Sequence, residues 1–241
     1  MRKRLQFLGV FLAIAGLGFA IAGVVAYAKV QDGYGSLQAF SASQNVTLSY
    51  NDDGQLVDRG ETEGADAIMS LLTDEWQYPV VQSDMDPNDP LVNTASEYMY
   101  QMATVAYHVM HGTQTVVLPE DVTTDDGQVF EAGEYEFDVD GRYWTDFDRS
   151  NPIEAAAREQ AWTGTVHGLI GELGVGTVTH STLQMGLALA GLFGGLGAVF
   201  VLAGAGLIWA GRGKEVVVPD TVPESFTTER IGASSVTSTM V

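Results

Sequence analysis

The run LQMGLALAGLFGGLGAVFVLAGAGLIWA, residues 183–210, is 28 residues long, and Gln184 is its one strongly polar side chain. As a helix it is roughly 42 Å long at about 1.5 Å per residue, more than the roughly 30 Å hydrocarbon core of a bilayer. It reads as a transmembrane helix that tilts or protrudes. A second run, LQFLGVFLAIAGLGFAIAGVVAYA at residues 5–28, also lacks Asp, Glu, Lys and Arg. Its 24 residues reach about 36 Å, again enough to cross.

Charge organises the rest of the chain around these two runs. The protein has 241 residues, 31 acids, 11 Lys or Arg, no cysteine and a formal charge of -20. Residues 29–182 hold 27 of the acids and five of the bases, a net charge of -22. An ordinary soluble globule does not segregate its composition in this way. Nucleic acid is excluded as a partner, because phosphate binding requires clustered cations. Arg2, Lys3 and Arg4 precede the first run and Arg212 and Lys214 follow the second, while only Lys29 lies beside the other ends. Cations near the ends of a span stay in the cytoplasm. The expected order is therefore a cytoplasmic N-terminus at 1–4, spans at 5–28 and 183–211, an acidic extracytoplasmic domain at 29–182, and a cytoplasmic tail at 212–241. Without cysteine that domain rests on packing alone.

The start of the chain also resembles a signal peptide ending in Ala26-Tyr27-Ala28. The apolar run is too long for one, since such peptides carry 7 to 15 apolar residues, and retention is the preferred reading. Cleavage would leave one span carrying the same domain. Small residues four apart let helix backbones approach closely. Gly9 with Ala13 and Gly16 with Ala20 mark such faces on the first span, and Gly191 with Gly195 and Gly194 with Ala198 on the second. The two spans are expected to pack on each other, with self-association or docking onto a membrane protein as the alternative.

Between the spans the pattern predicts a small α+β domain. Residues 44–50 and 55–58 alternate about an Asn-Asp-Asp-Gly turn and predict a hairpin. Residues 65–76 predict a helix that stops before Pro79. Thr94 and Glu97 form a capping box for a helix to about His111, closed by Gly112. Strands are predicted at 113–118, 128–130 and 134–139, the last with an apolar face (Tyr135, Phe137, Val139) and an acidic one. Asn151 followed by Pro152 opens a helix over 153–162. The tail, with Pro219, Pro223 and a Ser/Thr-rich end, is expected to be disordered, and Thr227 and Thr228 are its candidate phosphorylation sites.

Few side chains suggest chemistry. His108 and His111 lie three apart on one predicted helix and, with Glu97, are the candidate metal ligands. The alternative role for the two rings is to cap the last helical carbonyls. Asp84, Asp86, Asn88 and Asp89 imitate a calcium loop, but the sixth position is Asp89 instead of Gly and the twelfth is Ala95 instead of Glu. Weak binding of divalent cations to the acidic surface as a whole is expected from its charge. No Gly-x-Ser-x-Gly, Walker loop or cysteine is present, so no catalytic residue and no cofactor is assigned.

The basic start, the two spans and the stretch GRYWTDFDRSNP at 141–152 together resemble uncharacterised two-span membrane proteins of high-GC Gram-positive bacteria. In that group a Gly-basic-x-Tyr stretch leads into Asp-Arg-x-Asp-Pro, whereas here Asn151 precedes Pro152. Such proteins often carry the name aromatic ring-opening dioxygenase, which would imply an iron site of two imidazoles and a carboxylate. Only His108 and His111 offer such a pair, and the name is read as an error. The expectation is a non-enzymatic, two-pass envelope protein, with the lipid bilayer and a membrane protein or a second copy as partners. The alternatives are a metal-dependent enzyme at His108 and His111, or a cation-responsive sensor.

Overall fold

The computed structural model describes residues 2–212. Thr227, Thr228 and the rest of the tail lie outside the described residues.

Two long helices frame the molecule, α1 over Arg2–Gln44 and α5 over Gly164–Ala210. Both are long and apolar enough to cross a bilayer by length and composition. Each runs well past its apolar segment, over 29–44 in α1 and 164–182 in α5, and because those stretches are rich in Gly, Ser and Thr, packing and not intrinsic propensity keeps them helical. The domain between them thus begins on helical backbone, where the sequence marked only a change of composition.

The helices lie antiparallel in close contact. Buried positions on α1 recur every seven residues, at Gly9, Gly16, Gly23, Val30 and Leu37. Gly176, Ala190, Gly197 and Gly204 on α5 fall on the same period, and buried His180 lies off it. A seven-residue repeat keeps one seam facing the partner through left-handed supercoiling. A methyl group on Gly9 would lie 2.6 Å from the Gly204 carbonyl oxygen, and one on Gly23 2.8 Å from the Gly194 nitrogen. Ala13 and Ala20 complete the seam: methyls on Gly204 and Gly197 would sit 2.7 and 2.6 Å from their nitrogens.

The expected α5 face needs correction. Gly191, Gly195 and Ala198 are exposed on the outside of the helix pair, and only Gly194 of those four residues lies against α1. Spacing of four tracks a helix face for one turn, whereas two supercoiled helices stay in register over spacing of seven.

The connecting domain is α+β. α2 (Thr62–Ser70) runs into a π-helical turn at Leu71–Glu75, and α3 is Ala95–Met110. β1 (Thr113–Leu118) pairs antiparallel with β4 (Gly133–Asp138), Val116 opposite Tyr135. β2 (Val122–Thr123) and β3 (Val129–Phe130) make a second short ladder, and α4 covers Pro152–Ala161. The predicted hairpin at 44–58 forms as a short one, with the bridge Tyr50 to Leu56 and bonds from Asn51 N to Gln55 O and from Val57 N to Ser49 O, both 2.9 Å. Its first arm also bonds to residues 90–92, through Leu48 N to Pro90 O and Val92 N to Val46 O at 2.8 and 2.9 Å. Turn chemistry placed the reversal, but the long-range partner of that arm is invisible to local pattern.

Ile68, Leu72, Tyr98, Ala103, Val139 and Trp162 form the main core, and Val116, Leu118 and Ala157 a smaller one beneath the β1–β4 pair. Phe137 packs against both, and the stretch at 141–152 adds Tyr143, Trp144 and Phe147 to the main one. Arg158 is buried, lies over the Trp144 ring and donates from Nε to the Trp144 carbonyl at 2.9 Å. Trp162 donates to the Arg142 carbonyl at 3.1 Å, and Trp76 to the Tyr143 hydroxyl at 2.8 Å. These bonds satisfy the polar tips of large aromatic groups inside the core. They account for this stretch as a structural knot.

Candidate functional site

The three candidate metal ligands are not brought together. Glu97 sits in the first turn of α3 and the histidines at its other end, roughly 16 Å away at about 1.5 Å per residue. Glu97 is buried, and its Oε2 accepts from Asn93 N, Thr94 N and Thr94 Oγ1 at 2.9, 2.8 and 2.9 Å. Burial pushes its carboxyl above the usual value, and those three bonds only partly offset the cost. The capping box commits this carboxylate to the helix start.

His108 Nε2 lies 2.8 Å from Asp58 Oδ2, a partner 50 residues away that spacing on α3 gave no sign of. His111 stacks on Tyr107, ring centroids 4.1 Å apart, and its Nδ1 donates to the Tyr107 carbonyl at 2.9 Å. That is the capping role. Among the described residues no three His, Asp or Glu side chains gather as a ligand set. In the acidic loop, Asp86 Oδ1 accepts from the backbone and side-chain nitrogens of Asn88, both at 2.9 Å. These bonds hold its carboxyl below the usual range and commit it to a turn.

Two recesses stand out among the described residues. The first, about 310 Å³, lies beside His111 and is lined by Ser70, Glu75, Tyr107 and Gly141 among others. The second, about 120 Å³, opens where α1, α3 and α5 converge. Its walls are apolar, from Phe40, Val46, Val92, Val105, Leu169 and Leu173, with Gln44, Gln101 and Glu172 also lining it. Ser41 and Tyr98, whose hydroxyls are 2.7 Å apart and buried, complete it. Gly176 lets the Tyr98 ring lie flat on α5, since a methyl there would sit 2.6 Å from the ring.

The same three helices meet again at His180. This residue is 6% exposed, and its Nδ1 accepts the backbone N–H of Ala95, the first residue of α3, at 3.1 Å. The edge of Tyr34 packs against the ring at 5.7 Å between centroids. His180 belongs to no motif in the sequence, and only the contact with α3, 85 residues away, reveals its role.

Comparison with protein-family models, with curated proteins and with solved structures finds no match to this chain. The geometry alone carries the functional reading.

Proposed function

We propose that the protein is a two-pass membrane protein of the cell envelope, with both termini cytoplasmic, whose acidic outer domain docks a second membrane-anchored protein. Support for the membrane comes from the sheath of the helix pair. Only 17% of the α1 span and 11% of the α5 span is buried, far too little for core helices of a soluble protein. Phe7, Phe11, Ile14, Val24, Leu202 and Trp209 point outward around it. In water that surface would cost free energy in proportion to its area, and lipid removes the cost. The glycine seam against α5 also favours keeping α1 in the mature protein.

The observation that carries the docking role is the 120 Å³ recess. It takes one apolar side chain, close to the size of an engineered cavity that holds benzene. Its rim residues Phe40 and Leu169 are each 43% exposed. Phe40 stands 12 residues beyond the first apolar run, about 18 Å along the helix, too far for the acyl chain of a lipid seated in the bilayer. A protein side chain presented at that height is the fitting occupant.

The test is affinity purification of the full chain in mild detergent, beside the double variant Phe40→Asp and Leu169→Asp. A reproducible membrane partner or a homo-oligomer lost in the variant is expected. A clean monomer in several detergents, or capture that survives both substitutions, would overturn the docking role. Protease added to intact cells tests the topology separately: sparing of residues 29–182 would overturn it.

A further inference from the structure

We propose that His180 is an acid-sensitive latch that holds the start of α3 against α5 while the ring is neutral and releases it on protonation. The geometry dictates the tautomer. Ala95 N is a donor, so Nδ1 must present its lone pair and the ring proton must sit on Nε2. Protonation puts a second N–H on Nδ1, facing a donor at the positive end of the α3 dipole. The bond is then lost and replaced by repulsion.

The groups around the ring set the direction of the response. From α1 comes Tyr34, a neutral ring; Asp32 on the same helix is paired with Lys29 and exposed. From α3 comes the Ala95 N–H, while the Glu97 carboxylate two residues on is held by the Asn93 and Thr94 donors. Asp84, in the 3₁₀ turn Gln82–Asp84, favours the protonated ring, but burial acts more strongly and holds the imidazole below the usual histidine value. On α5 the nearest acid is Glu172, eight residues back. A histidine depressed in this way contributes stability that is fully present above its unfolded value of about 6.5 and is lost as the pH falls through its folded value.

The latch also reaches the recess. Tyr98 lies one turn from Ala95 and forms part of the wall, so release of the first turn of α3 opens the Ser41–Tyr98 contact. That consequence rests on the docking role; the latch itself does not.

Hydrogen exchange of amides 95–98 in the full chain in detergent, at about pH 7.5 and about pH 5.5, is the test, beside His180→Asn. The Asn oxygen occupies the position of Nδ1 and does not titrate. After correction for intrinsic rates, the wild type is expected to lose protection severalfold and up to about tenfold, the ceiling that an unfolded value of about 6.5 sets at about pH 5.5. The variant is expected to lose less than about twofold. Unchanged protection in the wild type, or an equal loss in both, overturns the latch. Imidazole ¹⁵N spectra of the wild type provide a check that needs no variant. Nδ1 is expected to be unprotonated at neutral pH, with protonation tracking the loss of protection. A proton on Nδ1 at neutral pH overturns the proposal, and so does protection lost without that protonation. Partner capture at the two pH values reads the recess separately: capture unaffected by pH overturns the link to docking and leaves the latch standing.

Discussion

A methyl group on Gly197 would lie 2.8 Å from the carbonyl oxygen of Gly16, so the two helix backbones meet with no room for a side chain between them. The seam is a ladder of such meetings one heptad apart, and it fixes how α1 and α5 are rotated toward each other.

Gly197→Leu is therefore expected to cost about 1–3 kcal/mol or more, because the bulk meets backbone and not a flexible side chain. Gly191→Leu faces outward into open space and is expected to change stability by less than about 0.5 kcal/mol. Thermal unfolding of both variants in one detergent checks this. Equal costs would show that the seam has been assigned to the wrong face.

Tyr100 is almost fully buried, and its hydroxyl has no hydrogen-bond partner. Burial, followed by the charge of Asp58, pushes its ionisation well above the ordinary tyrosine value. An unpaired buried hydroxyl carries a desolvation cost with no return. Tyr100→Phe is expected to be neutral or to stabilise by about 1 kcal/mol in denaturant unfolding. A loss of that size would mean that the hydroxyl is bonded after all.

Glu97 titrates in the direction opposite to His180. Its folded value is raised, so its contribution is fully present below the unfolded value of about 4.5 and is lost as the pH rises through the folded value. Glu97→Gln keeps an acceptor at a capping-box position where Gln also serves, and it removes the titration. The stability of the wild type relative to this variant is expected to improve as the pH falls from about 7 toward about 4.5. A difference independent of pH across melts in that range would contradict the assignment.

The His108–Asp58 pair is partly shielded, with side chains 30% and 15% exposed. A double-mutant cycle with His108→Ala and Asp58→Ala is expected to give a coupling of about 1 kcal/mol. Zinc added to the wild type is expected to leave its melting temperature unchanged. A rise in melting temperature that His108→Ala abolishes would instead make this ring a ligand.

Local signals placed much of the fold. The Thr94–Glu97 box, the Asn151–Pro152 start and the alternation in β4 each act through neighbours a few residues away, and each appears where expected. The heptad of Gly9, Gly16 and Gly23 was equally open to reading, but spacing of four also singled out Gly191 and Gly195, which face away from α1 while Gly194 lies against it. The partners of His108 and His180 were not legible at all, being 50 and 85 residues distant.

Sequence by itself determined where this chain is apolar, where it is anionic and which short segments become helix or strand, because hydrophobic length, charge and capping act locally. Tertiary structure alone decided which glycines touch, which carboxylate His108 meets and that His180 holds the start of α3. Those outcomes depend on contacts between residues far apart in the chain: the helix seam brings Gly9 to Gly204 and Gly16 to Gly197, and His108 meets a carboxylate 50 residues away.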